Sequence, residues 1–417
     1  MVRLVAAMVL ALGLALCACT DDEIPPSSTG TSLPPSSSTV PSSSSSSVAD
    51  AEEGSTPAVE WAEPQLVATG ESLQLAFNAT TAAARQGDTL HLAFLAGATV
   101  HYVRATGDGY EVRDLPGSGP AGKPAVAGFG DSIVIAWTAR TQGGERALDV
   151  VRSTDAGTTW SEPYPIAQGR LREPVAISGD GDRLVLAYVD EADGRTFVVT
   201  WEGGEWAPGG WMAPVAIGEG GVVAADASVA ARDEVVVVAY EDVTVQPAAV
   251  WLASSGDRGA TFSDPHQLQL DGSIPVPGGD PSVAFTDDGT LLVGLQSRGE
   301  VMVSAGTATD GAFATVYGSQ PGLFVQVDSG EAATVGAIWE YFEGDMRDDE
   351  RKRVGLAISF DAMATAEGPF AQPGSEDAYG RIRPSLLLSG EQVDVLWIDP
   401  STSPQELWHQ TGFLTAE

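Results

Sequence analysis

The chain has 417 residues, 43% of them apolar, with 48 Gly, 26 Pro and only 21 Lys and Arg against 57 Asp and Glu. The formal net charge of −36 excludes the basic face that a nucleic-acid partner requires and disfavours adhesion of a folded part to anionic lipid. Both cysteines, Cys17 and Cys19, lie near the start. The rest therefore carries no disulfide, thiolate nucleophile or Cys-based zinc site, and no metal or cofactor is called for.

Met1-Val2-Arg3 precedes an apolar run from Leu4 to Ala18, a positive n-region and an h-region too short to span a membrane. Leu16-Cys17-Ala18-Cys19 resembles the bacterial lipobox, with lipidation on Cys19; ordinary secretory cleavage after Ala18 is the alternative. Residues 1–18 are thus expected to be a lipoprotein signal peptide. Residues 19–56 hold the lipidated Cys and a Ser/Thr/Pro tract with too little apolar surface to repay ordering. Such a spacer of about 35 residues reaches roughly 30–35 Å as a coil and about 110 Å in polyproline II. The first fifty residues contain Arg3 against Asp21, Asp22, Glu23 and Asp50, which leaves 20 basic and 53 acidic residues beyond them, a net of −33. The folded part, 57–417, is itself acidic, which suits solubility outside the cell.

That part repeats. The clearest unit runs Lys123–Ala127, Ser132–Trp137, Leu148–Ser153 and Trp160–Ile166: four short strands A to D. Strand A restarts near Thr80, Pro124, Pro174, Ala227, Pro281, Phe324 and Pro384, at intervals of about 40 to 60 residues. Strand B ends on Phe94, Trp137, Tyr188, Tyr240, Leu295, Trp339 and Trp397. This pattern predicts an all-β protein, a β-propeller of seven four-stranded blades, with six blades as the alternative. The last unit supplies Ser385–Leu388, Val393–Trp397 and Glu406–Gln410, then lacks strand D. Trp61-Ala-Glu-Pro-Gln-Leu-Val67 matches Trp160-Ser-Glu-Pro-Tyr-Pro-Ile166 and is predicted to complete that blade and close the ring.

Two C–D turns share the pattern S-x-D-x-G-x-T-aromatic: Ser153, Asp155, Gly157, Thr159, Trp160, and Ser255, Asp257, Gly259, Thr261, Phe262. A third, Ser359 to Thr365, keeps Ser, Asp361 and Thr but loses the Gly and aromatic. This is the Asp box, or bacterial neuraminidase repeat, and the chain resembles the sialidase/neuraminidase-like propeller superfamily. The resemblance implies that the boxes are structural and lie on the face away from the site. It also implies a Phe/Tyr-Arg-Ile-Pro motif in the first blade, which reads Phe77-Asn-Ala-Thr80 instead; the nearest string is Tyr379-Gly-Arg381-Ile-Arg383-Pro384.

Propeller ligands usually meet the strand A starts, which carry Lys123, Arg172, Glu173, Asp226, Asp280, Arg381 and Arg383. Guanidinium groups there bind a carboxylate bidentately, or cap their own blades through ion pairs such as Arg172–Asp226. Tyr240-Glu241 and Glu340-Tyr341 are candidate Tyr–Glu pairs, and Asp190-Glu191, Glu241-Asp242 and Asp399 are candidate carboxylates for glycoside hydrolysis. The four His are scattered, and the blade 6 loop 343–353 is densely charged. The expected function is recognition of a glycan or protein ligand at the top face by a lipoprotein held outside the bacterial cell membrane, contacting it through the lipid alone. An exo-acting, sialidase-like glycoside hydrolase is the alternative.

Overall fold

Strand B of the third unit shows why these repeats stack. Leu184, Leu186 and Tyr188 pack on the second unit, while Val185, Ala187 and Val189 pack on the fourth. Alternate side chains leave opposite faces of a strand, so a sheet with neighbours on both faces needs apolar residues at every position. Runs such as Val235–Tyr240 therefore mark sandwiched strands. A computed structural model describes residues 58–76, 81–107, 109–218, 224–270, 274–275, 277–308, 312–331, 334–342, 352–359, 367–371 and 381–415.

Seven sheets form the seven blades of a β-propeller, their strands running outward from the channel in sequence order, except that the N-terminal strands lie outside blade 7 and Gln269–Leu270 pairs parallel with the fourth strand of blade 5, Ala312–Pro321. The innermost strands are Ala83–Gln86, Ala125–Phe129, Ala176–Asp180, Ala224–Arg232, Gly279–Phe285, Leu323–Ser329 and Ile382–Ser389. Each begins within a few residues of its expected start. Every large residue assigned to the end of strand B lies in the second strand of its blade.

The innermost strands have an unpaired edge, and side chains satisfy it from blade to blade. Ser228 Oγ accepts from Val283 N–H at 3.1 Å, Ser282 Oγ from Val327 N–H at 3.1 Å, and Gln326 Oε1 from Leu386 N–H at 3.1 Å. Ser385 Oγ accepts from Ala82 N–H at 3.3 Å, which crosses the seam between blades 7 and 1. These bonds replace the ladder partners that a central strand would have.

The N-terminal segment closes the ring. Gln65–Gly70 pairs antiparallel with the outer strand of blade 7, from Gln65↔His409 to Gly70↔Gln405. A second strand, Ala58–Trp61, pairs with the same strand from Ala58↔Thr415 to Trp61↔Gly412. The sequence predicted one strand across Trp61–Val67. Pro64 lacks an N–H and divides it in two, and strand C runs on to Thr415 to receive both.

Both S-x-D-x-G-x-T turns have one geometry. Ser153 Oγ accepts from Gly157 N–H at 2.8 Å, Asp155 Oδ1 from Thr159 N–H at 2.8 Å, and Asp155 Oδ2 from Thr159 Oγ1 at 2.7 Å. Ser255, Asp257, Gly259 and Thr261 repeat the pattern at 2.8, 2.8 and 2.6 Å. Bonds from Thr159 and from Thr261 hold the two carboxyls down at about 2. The third turn lies outside the described residues beyond Ser359. Gly157 has φ +77°, and a Cβ there would overlap the Tyr102 hydroxyl of blade 1. Gly157→Ala is expected to lower the unfolding free energy by about 2–4 kcal/mol, from left-handed strain and overpacking. Urea titration followed by circular dichroism measures this; a loss under about 1 kcal/mol would mean that blades 1 and 2 do not meet there.

Candidate functional site: the charged mouth of the channel

The starts of the innermost strands surround one mouth of the channel, and the S-x-D-x-G-x-T turns, at the ends of strand C, lie at the opposite end. Bulges shape this mouth. Register shifts fall between Ala224 and Ala227, Gly279 and Ser282, Leu323 and Gln326, and Ile382 and Ser385. They enclose Asp226, Asp280, Phe324 and Arg383 on four successive blades. Pro281 and Pro384 cannot donate to a ladder, which accounts for two of the bulges. Asp280, Phe324 and Arg383 take φ of +52°, +56° and +52°, a conformation that non-glycine residues hold only where the surroundings enforce it.

Three carboxylates converge there. Oxygens of Asp226, Glu241 and Asp280 lie within 4.8 Å of one another. Glu241 comes from the second strand of blade 4, and its path explains Gly279, where a Cβ would sit 2.6 Å from the Glu241 carboxyl carbon. Burial pushes Asp226 up to about 7, reinforced by the charge of Asp280 and a hydrogen bond to it, and by Glu241; Arg172 opposes this. Burial, then Asp280, also raises Glu241. Burial and mutual repulsion thus make this cluster hold a proton more readily than an exposed carboxylate would. Among the described residues it is the one group of carboxylate, His or Cys donors close enough to hold a metal ion. Burial, then Arg383, lowers the Lys123 ammonium, while Glu173, Asp226 and Asp280 steady it.

The other candidates occupy definite places. Glu173 pairs with Arg146 at 2.8 Å, in space left by Gly122, whose Cβ would overlap that carboxyl. Arg172 lies 3.6 Å from Glu191, and its charge reaches Asp226 and Glu241. The backbone N–H of Arg383 donates to Glu340 Oε1 at 2.7 Å. Arg381 lies over the Trp397 ring at 4.7 Å, beside Asp399. Lys123, Glu173, Asp226, Asp280 and Arg383 therefore share one electrostatic neighbourhood, with Arg172 at its edge and Arg381 on the blade 7 tryptophan.

Sequence reasoning did not place Glu241 with Asp226 and Asp280. Tyr240 and Glu241 are adjacent on a strand and leave by opposite faces: Tyr240 packs between blades 3 and 4 and Glu241 reaches the mouth. Glu340, next to core Trp339, is buried against Lys352 at 3.0 Å. Neither glutamate forms a Tyr–Glu pair with its sequence neighbour. Asp190, Asp242 and Asp399 each accept from the N–H two residues on, at 2.9, 2.8 and 2.8 Å, and so cap their own turns. Phe77–Thr80, Tyr379, Gly380 and 343–351 lie outside the described residues.

A cavity of about 480 Å³ occupies the other end of the channel. Its Arg232 is bound to the carbonyls of Thr286 and Asp287, and its Asp328 accepts from Leu388 N–H at 2.8 Å. Those charges hold strands together, so the convergent chemistry is at the mouth.

No family model matches the chain, and no curated protein matches it. Solved structures share its fold. A polysaccharide lyase, an ulvan lyase bound to -[GlcA(1-4)Rha3S]-, is 9% identical with a TM-score of 0.53, over 82% of this chain and 94% of that one. A Trypanosoma rangeli sialidase in complex with 2,3-difluorosialic acid is 13% identical with a TM-score of 0.48, over 85% and 59%. A Coprinopsis cinerea α-L-arabinofuranosidase catalytic domain is 12% identical with a TM-score of 0.39, over 70% and 90%. The chain spans a little over half the length of the Trypanosoma sialidases that it matches, 55% in one case. The architecture is that of a seven-bladed propeller, and its structural neighbours include sialidase-like propellers.

Proposed function

We propose that the mouth binds a carbohydrate and that the propeller is carried outside the membrane on a lipidated Cys19. One observation carries the first part: Asp226, Glu241 and Asp280 cluster at the mouth of the channel, with Lys123 and Arg383 in the same electrostatic neighbourhood. Fixed carboxylates accept bonds from sugar hydroxyls, and cations fix orientation, which is how carbohydrate sites obtain specificity. The shared fold with glycan-acting enzymes agrees. The two S-x-D-x-G-x-T turns take the structural role of Asp boxes in this reading.

The second reading, an exo-acting glycoside hydrolase of sialidase-like type, is favoured by the raised pKa of Asp226 beside further carboxylates. One experiment addresses both. The protein is titrated calorimetrically with neutral and acidic oligosaccharides, and the mixtures are analysed for cleavage. Binding weakened about tenfold or more by Arg383→Ala or Asp226→Asn, with Asp155→Ala at wild-type affinity, supports the mouth. Cleavage that falls as pH rises through about 7, where Asp226 gives up its proton, supports the hydrolase. A protein ligand alone, with no saccharide bound, refutes both.

For the tether, Cys19→Ser is expected to release the protein to the soluble fraction, whereas Cys17→Ser leaves it with the membrane. Retention of the Cys19→Ser form would remove the lipoprotein assignment.

A further inference from the structure

We propose that the tether joins the propeller at the end opposite its mouth, so that the mouth is the face turned away from the membrane and presented to ligands. This rests on the lipidated Cys19 reading above and adds the geometry of presentation.

Strand direction carries the inference. Each innermost strand starts at the mouth. Neighbouring strands of blade 7 are antiparallel, so its third strand runs away from the mouth like its first. That strand is Gln405–Thr415, with Gln405 at the mouth end and Thr415 at the end of the S-x-D-x-G-x-T turns. Ala58, the first described residue, pairs with Thr415. The chain then climbs the outside of the blade, through Trp61↔Gly412 and Gln65↔His409 to Gly70↔Gln405. It arrives at the mouth, where the first strand of blade 1 begins. The residues before Ala58 are therefore joined to the far end of the propeller. Gln405–Thr415 has 11 residues, and at about 3.3 Å per residue roughly 35 Å of blade separates that junction from the mouth.

Tether length decides how strongly this orients the domain. For the mouth to meet the lipid, the tether must first span the height of the blade. The far end has no such distance to cover. A tether of about 35 residues has an average span of roughly 30–35 Å, which equals that height. Without residues 25–47, about 15 residues remain between Cys19 and Ala58, with an average span of roughly 20 Å. Shortening the tether should therefore bring down the far end and leave the mouth clear.

Two probes at the ends of one strand, Gln392–Asp399, read this out. Glu391 is exposed beside the junction, where its carbonyl accepts from Leu414 N–H at 2.7 Å and Leu414 pairs with Val59. Ser401 is exposed in the turn at the mouth end. Glu391→Cys and Ser401→Cys are each made in the full-length protein and in the form lacking residues 25–47, with unchanged melting curves as the check of folding. The lipidated proteins are labelled with biotin-maleimide and inserted into phosphatidylcholine vesicles, whose headgroups carry no net charge. The rate of streptavidin capture is then measured. Shortening is expected to slow capture at position 391 by at least about tenfold and to leave position 401 within about twofold. Capture slowed equally at both, slowed more at position 401, or slowed at neither overturns the orientation and leaves the tether reading standing. Failure of the full-length protein to stay with the vesicles overturns both.

Discussion

Asp394→Ala is expected to destabilise the protein by about 3–5 kcal/mol, the cost of leaving a buried charge without its partner. Asp394 is fully buried at the seam between blades 7 and 1. Its oxygens accept from Arg85 Nε at 2.6 Å and Nη2 at 2.9 Å, and Oδ1 lies 2.8 Å from His409 Nε2. Thr411 Oγ1 and Gln392 Nε2 donate to it at 3.0 and 3.3 Å, and Tyr110 Oη lies 2.7 Å from His409 Nδ1. Burial alone would raise the Asp394 pKa, but the bonds and charges of His409 and Arg85 pull it below the usual carboxylate value. A depressed pKa contributes stability above the unfolded value of about 3.9, and that contribution is lost as pH falls through the folded value. The gap between wild type and variant should therefore be full at pH 7 and narrow below about pH 4. Urea unfolding at pH 7 and pH 3 measures both. A variant within about 1 kcal/mol of wild type at pH 7 would show that this network does not hold the seam.

The second large effect concerns closure. A protein lacking residues 1–50 is expected to unfold at the same denaturant concentration as the full chain. Removing residues 1–70 takes away Ala58–Trp61 and Gln65–Gly70, the outer partners of Gln405–Thr415. It also uncovers the core around Val67 and removes the bond from Gln410 Nε2 to Ala62 O at 2.7 Å. The loss should be several kcal/mol, a large share of the roughly 5–15 kcal/mol typical of a domain. The bared strand is an edge that pairs with other chains, so light scattering should rise with the truncation. Equal midpoints and monomeric behaviour for both truncations would mean that these strands do not complete blade 7.

The start of strand A was legible because the repeat sets its register. The chain then reverses at the mouth once per blade, which marked Lys123, Asp226, Asp280 and Arg383 as neighbours before any coordinate. Glu241 escaped because its strand partner Tyr240 carries the architectural signal, and alternation sends the two side chains to different places.

Local pattern alone determined the strand periodicity, the blade count, the two Ser–Asp–Gly–Thr turns and the need for an N-terminal strand in the last blade. Each depends on residues close in sequence or on a repeat that copies itself. Only the tertiary structure decided which charges meet. Arg85 and Asp394 are 309 residues apart, and Tyr110 and His409 are 299 apart; no local signal links them, because ring closure brings them together. The cluster of Asp226, Glu241 and Asp280 likewise depends on how blades 4 and 5 meet and on the bulges around Asp226 and Asp280. Charge–charge energies vary with distance and burial, and a one-dimensional pattern specifies neither across a ring.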